Sequence, residues 1–175
     1  MTGGTSGIGR ATAEGLAKLG ARVVLPARSL ARGERVAAEL SRASGSEVRA
    51  LPCDLASQAS IRAFVAAFEA DHGRLDVLVN SAGIVSYERT LTADGIEATF
   101  GVTYLGAFLL TNLLLPLLVR SQPARIVNVA GEFHRKVRLD FEDLQLERGY
   151  GFIRAGAQAM LAKVMFTFAL ARRLE

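Results

Sequence analysis

Thr2-Gly3-Gly4-Thr5-Ser6-Gly7-Ile8-Gly9 runs straight into a helical pattern over residues 10–19. Gly3 permits a tight reversal, Gly7 lets backbone approach a pyrophosphate with no Cβ in the way, and Gly9 allows close packing of the helix that follows. An anion held there meets free N–H groups and the positive end of a helix dipole. A glycine triplet alone also describes an ordinary loop, so the rest of the chain has to carry the reading.

Outward from that turn, helix and strand patterns alternate. The helix over 10–19 stops at Gly20, and residues 21–26 form a short Val-rich strand. Helix 30–40, strand 47–51, helix 57–71 and the apolar strand 75–80 follow. Helical periodicity resumes at about residue 91 and runs through 119, then come a strand over 125–129, a polar loop over 132–149 and a last helix over 155–175. Apolar strands set between helices predict a parallel sheet covered on both faces. No repeat, low-complexity tract or linker divides the chain, which reads as one domain over residues 1–175.

Composition excludes several alternatives. With 50% hydrophobic and 22% charged residues the chain is neither disordered nor fibrous. The net charge of +4 comes from arginines scattered among acids and apolar positions, with no dense basic block, so nucleic acid is not an expected partner. Cys53 is the single cysteine and cannot form an intrachain disulfide. No leader pattern opens the sequence, and the apolar stretch 105–119 is interrupted by Asn112 and Pro116, so a cytoplasmic location without membrane insertion is expected. That stretch reads as a buried or interface helix. No metal-ligand constellation is seen.

Five motifs in order extend the picture: the TGxxxGIG-type turn over Thr2 to Gly9, Ala27-Arg28-Ser29, Asp54-Leu55, Asn80-Ser81-Ala82-Gly83 and Arg125-Ile126-Val127-Asn128-Val129. Together they resemble the short-chain dehydrogenase/reductase family, most closely its retinol-dehydrogenase-type branch, over nearly the whole chain. The resemblance implies an α/β fold, a Rossmann-like doubly wound parallel sheet in a three-layer αβα arrangement, with NADP(H) or NAD(H) as cofactor. The acid that normally holds the ribose 2′-hydroxyl is replaced by Ala27 and Arg28, and a guanidinium suits a 2′-phosphate, so NADP(H) is expected. The plainer reading of Arg28 is a solvated surface residue. Expected cofactor contacts are Gly3, Thr5, Ser6, Gly7, Ile8, Gly9, Arg28, Ser29, Asp54, Leu55, Asn80, Ala82 and Gly83. By the resemblance Asp54 takes the adenine amino group and residues 80–83 line the nicotinamide side. The competing readings are a turn carboxylate for Asp54 and a strand-ending turn for 80–83.

The catalytic pattern breaks. The family's chemistry needs a Tyr as general acid/base, a Lys four residues on, a Ser for the substrate oxygen and an Asn for a relay water. The matching positions hold Gly156, Met160, Gly131 and Thr103. Substitute candidates are Tyr150, with Arg154 four residues on, and Lys163, with His134 nearby; the bland readings are a loop aromatic, a solvated helix lysine and a loop polar group. The expected function is therefore an oxidoreductase by descent, moving hydride between NADP(H) and a small alcohol or carbonyl substrate with weak or unusual turnover. The alternatives are a non-catalytic NADP(H)-binding or partner-binding protein using residues 105–119, and a fragment without function. Pairing into a homodimer through the long helices is implied only by the resemblance.

Against the family the chain lacks the first strand, which normally lies mid-sheet, and the last strands with their pocket-shaping loops. It therefore reads as truncated at both ends. The missing strand is expected to leave ladder groups on its two neighbours unpaired, at about 1–3 kcal/mol each where buried.

Overall fold

The computed structural model describes residues 1–174. In chain order the elements are α1 (Gly7–Lys18), β1 (Val23–Ala27), α2 (Leu30–Ser44), β2 (Val48–Pro52), α3 (Gln58–Asp71), β3 (Val77–Asn80), the short helix α4 (Ala98–Phe100), a π-helical segment (Gly101–Leu105), α5 (Gly106–Arg120), β4 (Arg125–Asn128), a 3-10 turn (Glu132–Lys136) and α6 (Phe152–Leu174). Local chemistry explains several boundaries. Ser29 caps α2 by accepting from the Arg32 N–H, and Ser57 caps α3 by accepting from Ser60. Gly45 closes α2 at φ 74°, a left-handed conformation that costs a glycine nothing.

The strands are parallel, as their apolar runs predict. β1 pairs with β2 from Val23↔Val48 to Ala27↔Pro52, and β3 pairs with β4 from Val77↔Arg125 to Asn80↔Asn128. Both faces of β1 are covered: Val23 and Leu25 pack with Ala13, Ala17 and Val36 of α1 and α2, while Val24 packs against the cluster of Phe64, Phe68, Leu110 and Leu114 from α3 and α5. This is the three-layer α/β arrangement. A third cluster joins Phe100 to Ala159 and Ala162 of α6.

The expected defect in the middle of the sheet is present. No ladder joins β1 to β3, so the sheet consists of two separate pairs. A slot of about 350 Å³ lies between them, lined by Met1, Val24, Val77, Val79, Phe68 and Leu110. Only the first two residues span it. The Met1 main-chain nitrogen donates to the Val24 carbonyl at 2.7 Å, and the Thr2 N–H donates to the Val79 carbonyl at 2.8 Å. Val77, on the slot's edge, is 41% exposed.

Two expectations need correction. Residues 91–97 are not helical: Gly95 turns the chain at φ 73°, Leu91 and Glu97 form an antiparallel bridge, and the Glu97 carboxylate caps α4 by accepting from the Thr99 and Phe100 N–H groups at 2.8 and 2.7 Å. An i, i+3, i+4 apolar count does not see that a carboxylate has already claimed the first orphan donors. The polar loop over 132–149 also contains the 3-10 turn, and the last helix starts earlier, at Phe152; its expected end at Glu175 lies outside the described residues. The runs Ala98–Arg120 and Phe152–Leu174 are long and apolar enough to cross a membrane by length and composition, and each buries part of its surface in this fold, including Leu110, Leu114 and Phe166.

Thr2 is the fold's most exposed point of failure. Its buried hydroxyl accepts from the Ser81 and Ala82 N–H groups, both at 3.1 Å, and its removal leaves two donors without a partner. Thr2→Val should therefore destabilise the protein by about 1–3 kcal/mol in urea unfolding, whereas an unchanged midpoint would show that this latch is dispensable.

Candidate cofactor cleft

The glycine turn folds as its spacing demands. Gly3 sits at φ 69° against the strand end of residues 81–82, and a Cβ there would come within 2.9 Å of the Ala82 nitrogen. A Cβ on Gly9 would collide with the Gly3 carbonyl, so only glycine lets α1 start this close to the turn. Gly7, at φ 51°, has open space where its side chain would be. Ser6 makes no side-chain cap to α1 and no acid occupies the first turn, so the helix presents uncapped N–H donors to that space. The cradle has the shape and the donors for a pyrophosphate. Ile8, 78% exposed, borders it.

Arg28 and Ser29 follow β1 at the same end of the sheet, and the Arg28 side chain is exposed without an acidic partner among the described residues. It is free to meet a phosphate. Asp54 is committed in part to its own turn: one carboxylate oxygen accepts from the Ala56 N–H at 2.9 Å. Leu55 lies beside Gly106, where a Cβ would meet the Leu55 carbonyl at 2.6 Å.

Asn80 differs from the other expected contacts. It is fully buried, and its amide donates to the Thr111 hydroxyl and the Asn128 side-chain oxygen, both at 2.9 Å, while Asn128 donates to Thr167. The side chain ties β3 to β4, α5 and α6 rather than facing the cleft. Ala82 and the exposed Gly83 follow it into the loop that borders the cleft.

Three of the positions that the resemblance matches to catalytic residues are Thr103, Gly131 and Gly156. Thr103 lies in the π-helical segment, a distortion common at functional sites, and its hydroxyl accepts from the Ile84 N–H at 3.1 Å and donates to the Ile84 carbonyl at 3.2 Å. It fastens the loop after β3 instead of holding a relay water. Gly131 has open space at its Cβ position, and a Cβ on Gly156 would make ordinary contact with Val85 at 3.5 Å.

Of the substitute candidates, Tyr150 donates its hydroxyl to the Ser86 carbonyl at 2.7 Å, and Arg154 pairs with Asp140 at 3.3 Å, so the Tyr-x-x-x-Arg spacing does not form a catalytic pair. His134 donates from Nδ1 to the Gly131 carbonyl at 2.7 Å, holding the turn after β4. Lys163 is the surprise. It is 1% exposed, with Nζ at 3.3 Å from the Ala82 carbonyl and 3.4 Å from the Val129 carbonyl. Burial lowers its pKa to about 8. The signal was in the sequence: Ala159, Lys163 and Phe166 share one helical face, and its other two members are core residues. Thr2, Thr111 and Thr167 are further structural residues of the site that motif spacing did not single out.

A glycine turn running into a helix at the end of a parallel α/β sheet is the geometry of a dinucleotide-binding domain. Residues 1–136 match the short chain dehydrogenase family. The whole chain is 44% identical to retinol dehydrogenase 14 of Mus musculus, covering 56% of that protein, and 44% identical to retinol dehydrogenase 11 of Homo sapiens, covering 55%. A metagenomic short-chain oxidoreductase crystallised with NADP superposes with a TM-score of 0.79 at 28% identity, over 99% of this chain and 74% of that one. The chain belongs to the short-chain dehydrogenase/reductase family. Within it, the chain is retinol-dehydrogenase-like, and it spans a little over half the length of the curated relatives it matches.

The buried lysine has a measurable consequence for stability. Between pH 8 and 10.5 the unfolded chain keeps a proton on Lys163 that the folded chain has released, so this group makes stability rise with pH across that window. The stability of the parent relative to Lys163→Met should grow by about 3 kcal/mol from pH 7.5 to 10.5 in denaturant titrations. A difference independent of pH would show that the ammonium is not desolvated in the folded state.

Proposed function

We propose that the chain is an NADP(H)-binding oxidoreductase domain, acting by descent on a small alcohol or carbonyl substrate, in which ordinary hydride-transfer turnover is weak. The observation that carries the reading is the open cradle between Gly3, Gly7 and the uncapped start of α1, set beside an unpartnered Arg28. NADP(H) would supply the hydride. The turn amides would hold its pyrophosphate and Arg28 its 2′-phosphate, with Ser29 beside it. Asp54 has one carboxylate oxygen left for an adenine amino group. Ala82 and Gly83 would border the nicotinamide. The NADP-bound relative supports this choice of cofactor.

Hydride transfer to a carbonyl leaves an alkoxide that needs a proton, and a positioned acid contributes typically about 10²- to 10⁴-fold in rate. Thr103, Gly131, Gly156 and Met160 offer no such acid, and the hydroxyl of Tyr150 is engaged with backbone. Losses in such a set do not add, because its members act as a unit. A second reading, an NADP(H)-binding protein whose output is association with a partner, is favoured by the engagement of Thr103 and Tyr150 in loop anchoring. A cytoplasmic location belongs to the same proposal, with the two apolar helices serving as core elements of the fold.

NADPH fluorescence titration combined with a carbonyl-substrate screen separates the readings: binding with turnover, binding alone, or neither. Arg28→Ala should weaken NADPH about tenfold and leave NADH unchanged, and equal losses for both nucleotides would remove the 2′-phosphate assignment. Restoring the family pattern with Thr103→Asn, Gly131→Ser, Gly156→Tyr and Met160→Lys together should raise carbonyl turnover by at least about 10²-fold. No gain, with cofactor binding intact, would place the defect outside these four positions.

A further inference from the structure

Lys163 is a buried cation with no carboxylate near it. The titratable or charged groups on the elements and loop packed against α6 include Glu97, Tyr104, Arg125, Glu132, His134, Arg135, Lys136, Asp140 and Asp143; among the described residues no carboxylate lies within 4.0 Å of the Lys163 ammonium, and Asp140 and Asp143 pair instead with Arg154 and Arg148. An uncompensated buried charge is costly and is retained where it has a task. Its two acceptors are telling. Ala82 and Val129 follow directly on the carboxyl ends of β3 and β4, the edge of a parallel sheet at which ligands bind. Those two bonds use two of the three N–H donors, and the third has no partner among the described residues.

Two carbonyl dipoles stabilise an ammonium only in part. An anion arriving at the same sheet edge completes the arrangement, because in a low-dielectric setting a charge acts over several ångströms without contact. Resting on the NADP(H) reading above, we propose that Lys163 is the positioning cation of the cleft: its ammonium holds the loop after β3 and the loop after β4 in register, and its charge favours the bound, negatively charged dinucleotide. A neutral Lys163 keeps two N–H donors, enough for both carbonyls, and loses only the charge.

The consequence follows by linkage. If nucleotide binding favours the ammonium, the nucleotide raises the lysine's proton affinity and loses its own affinity as the pH climbs past the point where Lys163 deprotonates. Isothermal titration of NADPH into the parent from pH 7 to 9.5 should show about a tenfold rise in Kd, with the step centred near 8 or above, and Lys163→Met should show weaker binding and no step. NMR titration of the Lys163 Cε resonance in the parent is the second readout: saturation with NADPH should raise its pKa by about one unit, the same tenfold effect seen from the proton's side. A parent that binds NADPH with a flat profile, a step that survives in Lys163→Met, or a lysine pKa indifferent to NADPH would each overturn the inference while leaving the cofactor reading intact. A parent that binds no NADPH at any pH would overturn both.

Discussion

Among the described residues, two carry main-chain hydrogen bonding across the middle of the sheet, while the cluster of α3 and α5 packs over both pairs of strands. Met1 reaches the Val24 carbonyl and Thr2 the Val79 carbonyl, and with no strand between β1 and β3 these main-chain bonds and the Thr2 hydroxyl are what carries the sheet across its middle. The cradle depends on the same point, because Gly3 follows Thr2 directly and packs on the Ala82 nitrogen that the Thr2 hydroxyl receives. Stability and phosphate recognition are thus fastened by one short segment. The unpaired edges of β1 and β3 face a slot that retains apolar walls, so the molecule combines two well-packed helix clusters with a poorly paired centre.

The site shows a division between binding and chemistry. The cradle is preserved down to glycines that no other residue could replace, since a Cβ on Gly3 or Gly9 would meet backbone. Thr103, by contrast, anchors the loop after β3, a Cβ on Gly156 would touch Val85, and one on Gly131 would meet open space. Polar groups that remain near the sheet edge mostly serve structure: Asn80, Thr111, Asn128 and Thr167 form one chain of hydrogen bonds, buried at Asn80 and Thr111 and half-buried at Asn128 and Thr167, that ties β3 to β4, α5 and α6. Lys163 is the exception, a charge placed among neutral acceptors.

Much of this was legible in the chain itself, and for a physical reason. The order of helices and strands, the parallel sheet and the cradle follow from glycine spacing, apolar periodicity and caps, all of which act between residues close in sequence. The gap beside β1 was expected from the family resemblance alone. Tertiary structure decided what depends on which faces meet: that residues 91–97 turn instead of coiling because Glu97 caps the next helix, that Asn80 points into the core, that Tyr150 anchors a loop and that Lys163 is buried. The Glu97 cap is local, but the other side chains take their roles from partners 14 to 81 residues away, as Arg154 does from Asp140 and Lys163 from Ala82, and local pattern carries no record of those distances.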